Sequence, residues 1–282
     1  MKIKLLVDST CDLPVSFLEE NDIDIIPLIV TFGEEQFYDI KEINTSELYE
    51  KIEKTKVMPK TAARSINDFY NTYKAILDKG YDQIVFLGIS SYFSSTIQNA
   101  MVASKEFEGK VFVHDTLNLS TGEGLQVLKA IKWVKEGLSG EEILEKLKEL
   151  APRVRSQFAV ESLDFLHRGG RCSQTSYYLG SALRMKPIIK VVDGKMIVYR
   201  KPIGKMTNAL NKLLEIIKED IDNLDLDTIM ITHSRAFESE KYLYNELSKL
   251  VPQEKIMVTD AGCVISSHCG KGTIGILYIV NK

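Results

Sequence analysis

The chain has 282 residues, 44% of them hydrophobic, enough for a sizeable core in one large or two ordinary domains. A net charge of −3 argues against nucleic acid as the main partner, because such binding rests on clustered Lys and Arg. The N-terminus reaches Asp8 too soon for a secretory leader, and no apolar run has the roughly 18 residues of a membrane span, which predicts a cytoplasmic protein without stable membrane insertion.

Apolar runs at 3–7, 23–30, 83–87 and 111–113 alternate with helical segments, as a parallel sheet covered on both faces requires. The first strand runs into Asp8-Ser9-Thr10-Cys11-Asp12, which places two carboxylates at the carboxyl end of a strand, where open α/β sheets carry ligands. They suit metal binding or acid–base work, and equally a cap or Asx-turn. Asn44 with Glu47 opens a helix, Asn67 or Ser65 opens another that stops at Gly80, and Ser139 with Glu142 forms a capping box. Thr61 falls in a short loop leading into the second of these helices. The run 84–100 reads as a buried strand that turns directly into a helix through Ser90, Ser91, Ser94, Ser95 and Thr96. Unpaired N–H groups there suit a small anion such as a carboxylate, although one hydroxyl suffices as a cap. The turn lacks the glycines and lysine of a phosphate-binding P-loop.

Ala151-Pro152 breaks this pattern, and 153–160 alternates polar and apolar like a half-exposed strand. Asp193-Gly194 between runs at 188–192 and 196–200 marks an antiparallel hairpin. Helices at 205–220 and 237–250 and strands at 228–232, 255–259 and 273–280 complete a mixed unit. The prediction is an N-terminal parallel-sheet α/β/α domain over 1–152 and a C-terminal mixed α+β domain over 153–282, with a ligand between them. Two segments of the second domain carry chemistry. His167-Arg168-Gly169-Gly170-Arg171 reads as a flexible basic loop whose guanidinium forks fit carboxylate or phosphate, Arg171 being the better placed. His268, within the small-residue stretch 260–272 between two strands, is suited to donate to an anion or to act as base for Cys263 or Cys269. The four cysteines, Cys11, Cys172, Cys263 and Cys269, lack paired zinc spacing and read as free thiols.

Taken in order, these segments resemble the DegV family over essentially the whole chain. The matching pieces are Asp8-Ser9-Thr10-Cys11-Asp12; Thr61, in the loop the family usually writes Thr-Ser-Gln-Pro; residues 90–100; Leu163 to Ser173, similar to Leu-x-x-Leu-x-x-Gly-Gly-Arg-x-Ser; Met185 to Ile189; and Gly262 to Gly272. The resemblance implies a two-domain protein that holds one long-chain fatty acid, such as palmitate, between its domains, with no further cofactor and no catalytic activity. It implies that Thr61 and Ser94 hold the carboxylate, with His268 and Arg171 at the same polar end. Some members are the acyl-carrying subunit of bacterial fatty acid kinase, so a kinase catalytic subunit is an implied partner. This chain departs from the family pattern in having Ala62-Ala63-Arg64 for Ser-Gln-Pro, Ser95 for a glycine, and Tyr92-Phe93 beside the carboxylate site. It also has Lys205 where an Arg-Thr pair is usual near the kinase-docking segment. The alternatives are a phosphotransferase using Asp8, Asp12 and the serine turn, or a Cys-His hydrolase using Cys269 and His268 in the same cleft.

Overall fold

The computed structural model describes residues 1–173 and 185–282. Strand β1 (Ile3–Asp8), helix α1 (Val15–Glu20) and strand β2 (Ile23–Ile26) begin the chain. Pro27, which has no N–H to give a ladder, then divides the single strand expected over 23–30. The chain turns off through β3 (Ile29–Phe32) and β4 (Glu35–Tyr38) into a separate sheet. After α2 (Thr45–Thr55), β5 (Lys60–Ala62) joins that sheet, whose antiparallel order is β4-β3-β5. Thr61 is therefore a strand residue, opposite Val30, and not the loop residue expected. Helix α3 (Ile66–Asp78), β6 (Gln83–Gly88), α4 (Thr96–Ser104), β7 (Val111–Asp115), α5 (Thr121–Lys135) and α6 (Gly140–Leu150) follow. Asn44, Ser65 and Ser139 open α2, α3 and α6 with reciprocal capping boxes.

The main sheet of this half, β2-β1-β6-β7, is parallel throughout. The two-residue period of a strand divides its side chains between two cores. Leu5 and Val7 pack with Leu125, Ile131 and Leu147, from α5 and α6; Leu6 packs with Phe69, Tyr73 and Ile97, from α3 and α4.

The chain enters another sheet at β8 (Val154–Ala159), followed by α7 (Asp164–Gly169), β9 (Ile188–Val192), β10 (Lys195–Arg200), α8 (Met206–Glu219), β11 (Ile229–His233), α9 (Phe237–Leu247), β12 (Ile256–Asp260), α10 (Cys263–Cys269) and β13 (Ile274–Ile279). Its order is β10-β9-β8-β13-β11-β12, antiparallel except for the β11–β12 pair. Asp193 and Gly194 both take positive φ, 48° and 78°, as a two-residue hairpin turn demands. One face of this sheet packs Ile231, Ile276 and Tyr278 under α8 and α9. The other contributes Met230, Leu277 and Ile279 to the core that contains Leu5 and Leu125. Helix α5 thus lies between the two large sheets and fastens them together.

The segment 167–171, expected as a flexible loop, is helical up to Gly169, and the small-residue stretch expected between two strands contains helix α10. Gly170, at φ 67°, caps α7 at its C-terminal end. Helix α10 carries no amphipathic signal because six of its seven residues are buried and its cysteines and serines have only modest helix propensity. All four cysteines are buried thiols outside any disulfide. Among the described residues no helix is long and apolar enough to cross a membrane.

Candidate functional site

The small sheet, the serine turn, α7, the β9–β10 hairpin and α10 converge on a cavity of about 280 Å³. Leu28, Ile89, Phe93, Leu119, Met196, Val264 and Ile265 give it an apolar wall, into which Thr61, Ser94, Ser95, Arg171 and His268 set polar atoms. The four residues singled out in sequence, Thr61, Ser94, Arg171 and His268, line this one cavity.

Thr61 Oγ1 lies 2.7 Å from His268 Nε2. Burial, and then the nearby Arg171 cation, push the imidazole down to about 4, so it is neutral at physiological pH. Its Nδ1 is buried without a partner. With the proton on Nε2 it is donated to Thr61 Oγ1, and no buried imidazole N–H is left without an acceptor. In that tautomer the threonine's own hydroxyl proton takes no part in this bond, and Thr61 lines the cavity. Gly169 makes room for this ring: a Cβ there would stand 2.3 Å from His268 Nδ1.

The serine turn does not pass straight from strand to helix, since residues 89–95 separate β6 from α4. Ser94 Oγ accepts from the Thr96 N–H at 3.3 Å and lies 2.8 Å from Thr96 Oγ1, so it meets the first N–H of α4 while facing the cavity. Ser90 Oγ donates to the Gly194 carbonyl at 2.8 Å, which ties the turn to the tip of the hairpin. The two aromatics part company, correcting their expected joint place beside the site. Phe93 is buried in the cavity wall, whereas Tyr92 is 56% exposed under Lys195, whose Nζ stands 4.4 Å from the ring centre. Arg171 donates to the carbonyls of Phe93 (3.2 Å) and Gly169 (2.6 Å), joining the serine turn to α7.

Asp8 and Asp12 sit elsewhere and are engaged within the protein. Asp8 accepts from the Thr10 N–H and hydroxyl and from the Ile89 N–H; Asp12 accepts from the Ser120 hydroxyl and the Gly262 N–H. Burial raises both carboxyls. Glu123, which sequence reasoning missed, lies beside them and is also raised, by burial first and the Asp8 charge next. Among the described residues no three His, Cys, Asp or Glu side chains are grouped to hold a metal. Cys269 lines the cavity, but burial pushes its thiol up to about 12. A smaller apolar chamber of about 30 Å³, with Phe158, Gly275 and Leu277 in its wall, shares Leu119, Ile265 and Cys269 with the main cavity. Its residues come from three separate strands, α10 and the intervening loops, so no local motif marks it.

Comparison with known proteins places this geometry in a family. The family model "DegV: Uncharacterised protein, DegV family" matches residues 2–281. A DegV domain-containing protein of Clostridium acetobutylicum is 34% identical, the match covering 99% of this chain and 98% of that one. A protein of Thermotoga maritima named fatty acid-binding protein is 32% identical over 98% of this chain and 96% of its own. A structure from Thermus thermophilus, described as fatty acid binding of a DegV family protein, superposes with a TM-score of 0.92 at 30% identity, covering 99% of this chain and 100% of that one. The chain belongs to the DegV family.

Proposed function

We propose that the protein binds one long-chain fatty acid, such as palmitate, with its carboxylate held by Thr61, Ser94, His268 and Arg171. The acyl chain runs along the apolar wall toward the chamber lined by Phe158 and Leu277. What carries this reading is the convergence of those four polar side chains in the wall of one otherwise apolar cavity. The fatty-acid names of the Thermotoga and Thermus relatives support it. Each buried CH₂ contributes about 0.8 kcal/mol, so the tail supplies most of the affinity. The polar atoms orient the head group, because a carboxylate left unpaired in a dry site is costly.

The protein carries its ligand and does not transform it. Asp8 and Asp12 are occupied by their own hydrogen bonds, and the high thiol pKa of Cys269 gives little thiolate for a hydrolase. Presentation of the carboxylate to an ATP-using fatty acid kinase, which would convert it to an acyl-phosphate, belongs to the same proposal. So do a domain division at residue 152 and a reducing, cytoplasmic setting, which the buried free thiols suit. Native mass spectrometry of the purified protein, followed by extraction of any acid, tests the reading. One fatty acid per chain is expected, and the Ser94→Ala, Thr61→Ala double variant should fold and retain it about tenfold less well. A protein that is purified empty and refuses added palmitate and oleate overturns it.

A further inference from the structure

Asp39 is fully buried between β4 and α2, in a segment no motif singled out. It touches both walls of the cavity's surroundings without lining the cavity itself. On one side its N–H donates to the Leu28 carbonyl at 2.9 Å, and its carboxylate accepts from Ser9 Oγ at 2.9 Å; Ser9 Oγ in turn accepts from the Leu28 N–H at 3.1 Å. On the other side the same carboxylate accepts from the N–H groups of Cys263, at 2.9 Å, and Val264, at 3.4 Å. Those are the first residues of α10. Asp12 adds a bond to the neighbouring Gly262 N–H at 2.8 Å. Ile40, immediately after Asp39, is held at φ 61°, a costly conformation for a β-branched residue, so surrounding contacts must fix this segment.

We propose that Asp39 is a positioning residue for head-group recognition, fixing α10, and through it His268, against the Leu28 and Thr61 wall. The inference rests on the head-group reading given above. Cys263 and His268 are about 7.5 Å apart along the helix axis. A tilt of roughly 10° at the clamped end therefore moves the imidazole by about 1 Å, beyond the ~0.5 Å that such constellations tolerate.

The test compares palmitate with hexadecan-1-ol, which has the same tail and no carboxylate, by displacement of a fluorescent fatty-acid probe. The parent should prefer palmitate. Asp39→Ala and the shape-conserving Asp39→Asn should each lose about fivefold of that preference, Asn less than Ala, while hexadecanol binding changes less than twofold. The His268 imidazole ¹⁵N shifts should move in Asp39→Asn. Where Asp39→Ala does not fold, Ser9→Ala, which removes the hydroxyl joining the Asp39 carboxylate to the Leu28 N–H, takes its place. Unchanged preference with unmoved His268 signals overturns the proposal, as does an equal fall for both lipids, which would mean that Asp39 only supports packing. A parent without preference, or His268→Ala and Thr61→Ala without effect, overturns the head-group reading instead.

Discussion

Burial sets the chemistry of individual side chains here, and it acts with opposite sign on the imidazole and the carboxyls. His268 is held at about 4, below its usual 6.5. Between those values the unfolded chain binds the extra proton, so this group's contribution to stability is lost as pH falls through the window. His268→Asn should accordingly flatten the acid side of the melting-temperature profile between pH 7 and pH 5, and an unchanged slope there contradicts the assignment. Glu123 runs the other way. Its raised carboxyl means that the folded state keeps its proton to higher pH than the unfolded chain does, so stability is lost as pH climbs above the usual carboxyl range. One of its oxygens is buried without a partner. Glu123→Gln keeps the shape without a charge to desolvate, and should raise the melting temperature at pH 8 by about 2–4 °C; a lower value there counts against a strained buried acid.

At the scale of elements, α7 and α10 bring the site together by a close approach that only glycine permits. Gly169→Ala places a methyl group against His268 Nδ1 and should lower palmitate affinity about tenfold while α7 stays folded. Titration with palmitate, alongside circular dichroism, checks this, and unaltered affinity would show that the ring moves aside without consequence. The helices bounded by capping boxes were legible because Asn44 and Ser139 announce themselves locally, as does Ser65 alongside the rival cap Asn67. The Asp193-Gly194 hairpin was legible for the same reason. Helix α10 was not, since a helix buried on nearly every side has no polar face to reveal its period. The strand at Thr61 was hidden too: its three residues pair with β3, which itself became distinct only through Pro27.

For the whole molecule, α5 lies between two sheets of different grammar, one parallel and one mixed, and the cavity forms beside that junction. The four residues proposed for the head group are legible in the sequence only through a family resemblance spread over the entire chain. Their company could not be read from spacing, because Thr61 and His268 are 207 positions apart and Asp12 meets Gly262 across 250. Asp39 and Glu123 escaped notice because their partners are mostly backbone N–H groups and distant hydroxyls, which leave no pattern in a sequence. On the proposed reading, these distant polar groups form one carboxylate site with an apolar tail path behind it. A crystal structure of the protein with palmitate tests it most directly. Carboxylate oxygens are expected within hydrogen-bonding distance of Thr61 and Ser94, with the tail passing Ile265 toward Phe158. A carboxylate bound away from both hydroxyls, or a tail lying outside this cavity, would contradict it.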